Sequence, residues 1–550
     1  GRLDDALRDL LSVASAEGEH FHAQVVAEVE GTDLRRVMHL LDNDLGRLHR
    51  LVQADGVERI DGRATARYRF RHSLFQHYIY HTLSAGERSY LHEEVGSVLE
   101  RLYDGQTAQV AARLARHFEL GGQIEKAARY RLAAGQRALQ LSAPDAALRH
   151  LAKGLELLGT LPDSAVRQEL ELLTQAALGT AHTTIGNFTA HGGVPALERA
   201  AELAVELESG FQLFPILRGL VAQFLVRADF PAGMQQANRL LTMADVLRDE
   251  HLLALAHSSM GVLQFYTAEF EAGRSHLELA IAGLSQTREP VGAYAHDPYV
   301  SSLNHLALVL WSLGFPDQAL ARNLEALAIA EQMEHPPTLA HALEMAATIR
   351  CFRREWAASC AMAEAAMDLA TRERLPFWLA VAATQRATAL IELGRVTEGT
   401  RLMEENLAAL EALGSNFALP QLLGDVAQAR ALTGDYGGAL MLVDRALAIG
   451  EETGERWWET ELLRRRGDLL LAIQPCDEAG AEECYRRARE LAQARQARSL
   501  ELRACVSLGR LLLRQGNRAA AIGLVAPVYG WFAEGFATAD LQDAAALLAS

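Results

Sequence analysis

Four histidines near the amino-terminal end are the first residues whose type and spacing could do chemistry: His72, His77, His81 and His92. His77 and His81 are four residues apart, which places two imidazoles on one face of a helix, as a zinc site requires. The sequence has no HExxH motif, however, and no cysteine lies nearby. We therefore predict that these rings pack against a helical core and that the chain holds no metal.

Signatures of catalysis are missing as well. The sequence contains no G-x-x-x-x-G-K-[ST] phosphate loop and no G-x-S-x-G nucleophile motif. Paired glutamates occur at positions 404–405, 451–452 and 482–483, where we expect them to face water. The sequence thus predicts a chain that is not an enzyme, has no catalytic residues and uses no cofactor of its own.

The composition indicates a large helical protein. Its 550 residues are 50% hydrophobic and only 6% aromatic, and the abundance of Ala and Leu favours close-packed helices. The net charge of -17 argues against a nucleic-acid partner. No apolar run is long enough to span a membrane, and the five cysteines form no CxxC pair. These features predict a cytoplasmic protein with reduced thiols and no membrane partner.

A period of about 40 residues runs through the larger, carboxyl-terminal part of the chain. Small residues recur at spacings of 40, 46, 40, 40, 40, 40 and 42, at Gly233, Gly273, Ala319, Ser359, Gly399, Ala439, Ala479 and Ala521. Two helices approach closely only where such small side chains face each other. The pattern resembles that of tetratricopeptide repeats. It predicts an all-α, right-handed superhelix of hairpins in which each hairpin contacts only its neighbours.

Turn residues support this register. Glycine stands five residues before the small position in four hairpins, as a helix stop would, at Gly314, Gly394, Gly434 and Gly516. The 46-residue step contains the segment 285–298, whose two prolines and one glycine predict an inserted loop. Residues 538–550 are expected to form a capping helix over the last apolar face.

Residues 1–103 lack this period, and their order of helices and strand-like runs predicts a winged helix. An Asp61-Gly62 turn between two short strand-like runs indicates one β-hairpin, followed by a helix over Ser73–Leu83. Three helices are expected before the hairpin, over Leu3–Ala16, Phe21–Val29 and Asp33–Leu51. This part of the chain is therefore predicted to be a small separate domain.

The charge of residues 1–103 opposes DNA binding. The region has 17 Asp and Glu against 13 Arg, and its third helix carries Asp33, Asp42 and Asp44. A phosphate-lined groove repels such a helix. We expect a winged helix that faces protein, while a transcriptional regulator with a DNA-binding winged helix stays as an alternative.

Four segments resemble a family of bacterial signalling ATPases of the STAND type. Ala66–Tyr80 (ARYRFRHSLFQHYIY) resembles the end of their winged helix, and Gln109–Phe118 resembles the first helix of their tetratricopeptide array. Ala481–Arg503 and Tyr529–Phe536 resemble the last repeat and the closing segment. The resemblance is strongest to members that carry a class III adenylate or guanylate cyclase domain.

The resemblance implies that the chain is the sensor region of a longer protein. An ATPase domain would precede Gly1 and would be a partner in the same polypeptide, with ATP or ADP as its nucleotide. In the family, the histidine of a His-Asp-Leu corner approaches the diphosphate of ADP. This chain has His72-Ser73-Leu74, so His72 matches and the acidic residue does not. The resemblance therefore implies a nucleotide-sensing role for His72 in the full-length protein.

The inner surface of the array is the candidate ligand groove, because the first helix of each hairpin lines it in such arrays. The register places there Phe265, Asn304, Trp311, His341, Glu344, Gln421 and Arg464. This mixture of aromatic, amide and charged groups suits a protein, a peptide or a small molecule.

The predicted organisation has four parts: a winged-helix-like domain (1–103), an irregular helical array (104–208), eight hairpins (209–537) and a capping helix (538–550). The predicted function is that of a non-catalytic sensor that controls an upstream nucleotide switch. In some members of the family that the chain resembles, the protein also carries a cyclase domain. A plain scaffold for protein–protein interaction is the alternative.

Overall fold

Helices make up most of the chain in the computed structural model. It describes residues 3–60, 63–141, 143–186, 188–189, 191–286 and 296–549. The chain divides into two units. Unit 1 comprises Gly1–Ala181 and Glu202–Glu208, and unit 2 comprises His182–Ala201 and Ser209–Ser550.

Unit 1 begins with helices and a three-stranded sheet, in the order α1 (Asp5–Glu17), β1 (His20–His22), α2 (Ala23–Val29), α3 (Leu34–His39, continued by a π-helix over Leu40–Leu48), β2 (Val52–Ile60) and β3 (Arg63–Phe70). Strand β3 lies in the middle and pairs antiparallel with β1 and β2. Apart from β1, the order of three helices followed by a β-hairpin agrees with the predicted one, and the assignment as a winged helix stays a prediction. The predicted turn at Asp61-Gly62 lies outside the described residues.

Strand β1 departs from the prediction of a continuous helix from Phe21. Residues His20–His22 pair with Arg67–Arg69 of β3, and the carboxylate of Glu17 accepts hydrogen bonds from the backbone N–H and the ring of His22. A partner that is distant in sequence thus outweighs the local apolar pattern. Asp33 caps the start of α3, because its side chain accepts a hydrogen bond from the N–H of Arg36.

The rest of unit 1 is helical: α4 (Ser73–Thr82), α5 (Ala85–Leu102), a 3₁₀ turn (Thr107–Val110), α6 (Ala111–Leu120), α7 (Ile124–Gln140), α8 (Pro144–Leu158) and α9 (Ala165–Thr184). Helix α5 starts with a capping box formed by Ser84 and Glu87. Helix α4 has no buried residue, and its Leu74 and Tyr78 are more than 70% exposed.

Unit 2 consists of consecutive helices in a repeated superhelical arrangement. After α10 (Gly193–Glu206), eight antiparallel pairs follow: α11 (Gly210–Arg227) with α12 (Phe230–Leu247), α13 (Glu250–Tyr266) with α14 (Phe270–Gln286), α15 (Pro298–Leu313) with α16 (Pro316–Gln332), α17 (Pro336–Phe352) with α18 (Trp356–Arg372), α19 (Pro376–Glu392) with α20 (Val396–Leu413), α21 (Leu419–Leu432) with α22 (Tyr436–Thr453), α23 (Glu459–Ala472) with α24 (Glu478–Ala494), and α25 (Arg498–Arg514) with α26 (Arg518–Tyr529). A last helix, α27 (Ala539–Ala549), packs on α25 and α26. Most of the predicted loop at 285–298 lies outside the described residues.

Small residues bring the two helices of a pair together, as the repeat predicts. A methyl group on Gly399 of α20 would lie 2.6 Å from the side chain of Ile391 and 2.8 Å from the carbonyl oxygen of Ala387, both on α19. The turn glycines have left-handed backbones, with φ of +98° at Gly314 and +85° at Gly394. Glycine adopts this conformation without the steric cost of a Cβ atom.

One hairpin departs from the predicted register. Ala479 is exposed, and Ala481 is the first fully buried small residue of α24. The turn between α23 and α24 has two more residues than that between α21 and α22, and Asp477 caps the new start by accepting from the N–H of Gly480. Ala479 and Ala481 are the same residue type two positions apart, so the sequence alone could not show which of them is buried.

Contacts between distant hairpins overturn the expectation that each contacts only its neighbours. The carbonyl oxygen of Tyr266, in the last turn of α13, accepts from the N–H of Arg456 at 2.8 Å. That of Trp311, in the last turn of α15, accepts from the hydroxyl of Ser499 at 2.6 Å. The first helices thus end against segments about 190 residues further along, and unit 2 closes over its inner surface.

The corrected register can be tested by overpacking. We expect Ala481→Trp to lower the free energy of unfolding by about 1–3 kcal/mol or more, because the indole has no space at the helix contact. Ala479→Trp, on the same helix, should change it by less than about 0.5 kcal/mol, since its side chain faces water. Urea unfolding of both variants measures this, and a larger loss in the Ala479 variant would contradict the register.

Candidate functional site

The inner surface of unit 2 contains two adjoining cavities. The first, here called the aromatic cavity, measures about 40 Å³, and its wall includes Phe265, Tyr266, Phe417 and Trp457. The second, the charged cavity, measures about 230 Å³. Its charged lining residues are Arg354, Glu392, Asp425, Glu461, Arg464, Arg465, Asp468, Arg503, Arg510, Asp540 and Asp543.

Four of the seven predicted groove residues line these cavities. Phe265 and Glu344 lie in the wall of the aromatic cavity, and Arg464 lies in that of the charged cavity. Gln421 lines both, so it marks where the two meet. The first helices do supply these side chains, which line two partly open cavities.

The other three predicted groove residues are packed away from the cavities. Asn304 is fully buried and accepts a hydrogen bond from Asn323 of its own hairpin. Trp311 packs on Phe352, and the ring of His341 lies 4.7 Å from that of His296. The expectation that these side chains face a ligand is therefore corrected: a position on the first helix does not determine whether a side chain meets the interior or its own partner helix.

A buried ion network forms one wall of the charged cavity. The carboxylate of Glu461 accepts from the guanidinium of Arg464 at 2.6 Å and from that of Arg465 at 3.3 Å. Arg465 also donates to Asp425 at 2.7 Å. Burial alone would raise the pKa of Glu461, but Arg464 and the neighbouring arginines hold it well below its usual range. The carboxylate therefore stays charged, and the network presents fixed charges to the cavity.

Other ion pairs of the charged cavity join hairpins that are far apart in sequence. Arg503 of α25 pairs with Asp540 at 2.8 Å, and its guanidinium also donates to the carbonyl oxygen of Phe352 on α17. Arg354 bonds to Asp543 of α27 at 2.8 Å. Positive and negative groups are thus interspersed around the charged cavity, which suits a ligand or peptide that carries charge.

Two carboxyl groups near the aromatic cavity have no such partner. Among the described residues, neither Glu344 nor Glu455 forms an ion pair, although Glu344 accepts from Thr348 and Glu455 from the indole N–H of Trp457, both at 2.8 Å. Burial raises the pKa of Glu344 to about 7 and that of Glu455 to about 8. Both therefore hold protons at a pH where an exposed glutamate has lost them.

The histidines of unit 1 are divided between surface and core. His72 is exposed at the start of α4, makes no capping bond, and contacts the ring of Phe75. His92 is buried and lies 2.9 Å from the hydroxyl of Tyr80 and 3.0 Å from His117. The described residues hold no cluster of three or more His, Cys, Asp or Glu side chains that could bind a metal.

Side chains that the sequence analysis missed complete the interior. Asp425, Asp540 and Asp543 supply half of the carboxylates of the charged cavity, and Gln385 lines the aromatic one. The three acids look like ordinary helix-surface residues in sequence, since only contacts across the interior bury them. The thiol of Cys351 also borders the charged cavity, and burial raises its pKa to about 12, which disfavours the thiolate form.

Comparison with known proteins gives one curated relative and several structural likenesses. No family model matches the chain. An uncharacterised protein of Rhizobium meliloti (strain 1021) is 25% identical over 452 residues, which is 78% of this chain and 43% of that protein. The chain therefore spans less than half the length of this relative.

The similar solved structures are helical-repeat proteins. A Rap protein complexed with competence and sporulation factor gives a TM-score of 0.49 at 11% identity, covering 68% of this chain and 99% of that one. A STAND protein with a tetratricopeptide repeat sensor from Pyrococcus horikoshii gives 0.38 at 12%, covering 96% and 64%. The Cut9–Hcn1 assembly gives 0.46 at 14%, covering 96% and 91%. None of these scores supports an argument about function.

None of the helices among the described residues is both long enough and apolar enough to cross a membrane.

The unpaired acids predict how stability depends on pH. The folded chain keeps protons on Glu344 and Glu455 up to about pH 7 and 8, whereas the unfolded chain loses them near pH 4.5. Stability from these groups is therefore greatest at acidic pH and falls as the pH rises from about 4.5 to 8. We expect Glu455→Gln, whose amide still accepts from Trp457, to be more stable than the parent at about pH 8, by on the order of 1–3 kcal/mol.

Urea unfolding at about pH 5 and pH 8 measures the difference. The exposed Glu451→Gln should keep the pH dependence of the parent, because its side chain lies in water in both states. A Glu455→Gln protein with the parent's full loss of stability between the two pH values would contradict the assignment.

Proposed function

We propose that the chain is the non-catalytic sensor region of a longer, cytoplasmic signalling protein. In this proposal unit 2 binds a charged peptide, protein segment or small molecule, and the bound state controls the nucleotide switch of an ATPase domain in the same polypeptide. That domain would bind ATP or ADP, and its output could be a nucleotide cyclase, as the resemblance described above implies.

The charged cavity carries the proposal. A partly open volume of about 230 Å³ lined by side chains of both charges is unlike a packed core, where buried charges meet their partners without intervening space. Its wall joins helices from several hairpins, including α17, α23, α25 and α27. A ligand that pairs with this wall would change the contacts that hold distant hairpins together, which is what a sensor requires.

The position of His72 is compatible with the proposed switch. Its imidazole is exposed, and it stands at the corner between β3 and α4. An imidazole N–H at such a corner can donate to a phosphate oxygen of a nucleotide held by another domain. The exposed Leu74 and Tyr78 on α4 offer apolar surface to the same neighbour.

A plain scaffold is the second candidate. Helical-repeat arrays commonly present surfaces for protein–protein interaction without any switch. The exposed apolar side chains of α4 favour a protein neighbour for unit 1 in either case. The two functions differ in whether the interior of unit 2 binds anything.

Binding in the charged cavity can be tested with a panel of charged metabolites and short peptides. We expect acidic compounds that raise the melting temperature to bind Arg510→Met roughly tenfold more weakly, and basic compounds to bind Asp468→Asn more weakly by a similar factor. Both side chains line the cavity and are about half exposed, so the changes spare the fold. Thermal unfolding and titration calorimetry give the affinities.

Arg487→Met is the matched control, because Arg487 is 61% exposed and does not line the cavity. It should bind every compound as the parent does. A panel in which no compound stabilises the chain, or in which the cavity variants lose nothing, would contradict the sensor function and favour the scaffold.

The role of His72 can be tested in the longer protein. We expect His72→Ala to release ADP roughly tenfold faster, since a charge-assisted hydrogen bond to phosphate contributes about 1.5–3 kcal/mol. Stopped-flow release of a fluorescent ADP measures this rate. His77→Ala, exposed on the same helix with its ring on the carbonyl oxygen of Ser73, should keep the parental rate. Equal rates in the His72 variant and the parent would remove the nucleotide-sensing role.

A further inference from the structure

The wall of the aromatic cavity includes aromatic rings that pack against one another. The rings of Phe265 and Trp457 lie 5.2 Å apart, as do those of Tyr266 and Phe417. Tyr266 stands perpendicular to Trp457, with 6.0 Å between the ring centres. Aromatic faces carry partial negative charge and attract cations, most strongly where water is excluded.

Two buried polar side chains of the same cavity, Glu344 and Gln385, can accept further hydrogen bonds. Glu344 is only 6% exposed and forms no ion pair among the described residues; a single hydroxyl, that of Thr348, donates to it. Gln385 is 5% exposed, and its Oε1 is buried with no hydrogen-bond partner in the described part of the chain. Burial of such acceptors costs free energy unless a donor reaches them.

We propose that the aromatic cavity binds the alkylammonium end of a ligand, whose N–H groups donate to Glu344 and Gln385 and whose carbon atoms lie against Tyr266 and Trp457. This inference rests on the proposed binding role of the interior and names the chemistry of one end of its ligand.

Charge and size select this class of ligand. Among the described residues, no Arg, Lys or His lines the aromatic cavity, so an anion would meet no cation there and would lie beside the carboxyl group of Glu344. A neutral apolar molecule would leave the buried Oε1 of Gln385 without a donor. About 40 Å³ holds a head group of a few heavy atoms. Burial raises the pKa of Glu344 to about 7, and an adjacent cation would favour its charged form.

The ligand can extend beyond this head group. Gln421 lines both cavities, and the charged cavity begins on its other side. An alkylammonium group in the aromatic cavity could therefore belong to a free amine or to the amino terminus of a peptide whose remaining residues occupy the charged cavity.

Calorimetric titration of the complete chain tests the proposal with three small probes. Dimethylammonium has two N–H donors and should bind. Tetramethylammonium lacks them, and 2-propanol lacks the charge, so both should bind more weakly. We expect Glu344→Gln to lose roughly tenfold in affinity for dimethylammonium, the effect of one hydrogen bond to a charged group. Glu451→Gln, whose exposed side chain lines neither cavity, should keep the parental affinity for this probe.

A second pair of probes identifies the source of the ammonium group. Alanyl-alanine amide has a free amino terminus, and its acetylated form does not. Tighter binding of the free peptide than of dimethylammonium would support a peptide ligand, and weaker binding would support a free amine. In both cases Glu344→Gln should weaken binding, and Gln385→Leu provides an independent variant that alters no charge.

Three results would overturn the inference: no binding of dimethylammonium, equal affinity for 2-propanol, or an unchanged affinity in Glu344→Gln. Circular dichroism of each variant checks that the helices are retained. The two proposals can be told apart if dimethylammonium does not bind. If charged compounds still bind Arg510→Met or Asp468→Asn more weakly than the parent, the inference about the aromatic cavity is wrong and the sensor function stands.

Discussion

The carbonyl oxygens at the ends of the first helices are the constraint on which unit 2 depends. The last turn of an α-helix leaves carbonyl groups without a partner in the helix. In α11, α13, α15 and α17, carbonyl oxygens of Val226, Tyr266, Trp311 and Phe352 accept from donors on segments well over a hundred residues further along. Satisfying these groups joins each hairpin to one far along the array.

This closure explains why the interior is polar yet buried. Once distant hairpins meet, their inward-facing side chains lose contact with water. Each buried ionisable group then either pairs with an opposite charge or has a shifted pKa. Glu461 forms ion pairs with arginines and remains charged. Among the described residues, Glu344 and Glu455 accept hydrogen bonds only from neutral donors, and they hold their protons. The two cavities differ in chemistry because cations reach one of them and not the other.

Much of the fold could be predicted from the sequence, because hairpin packing is a local problem. Small residues such as Ala387 and Gly399 face each other within one pair of helices, so their spacing along the chain carries the information. The same reasoning misplaced Ala479, since a longer turn moves the buried position by two residues. It also missed β1, which exists only because β3 is beside it.

The same distinction between local and long-range contacts applies to the candidate site. The sequence by itself determined that helices repeat, that Phe265, Glu344, Gln421 and Arg464 belong to first helices, and that no known nucleophile motif is present. Only the tertiary structure decided that Asn304 bonds within its own hairpin, that Asp543 faces Arg354, and that Glu344 lacks a cation. Helical periodicity is set by neighbours three or four residues apart, whereas the partner of a buried charge is set by chain closure across about 190 residues.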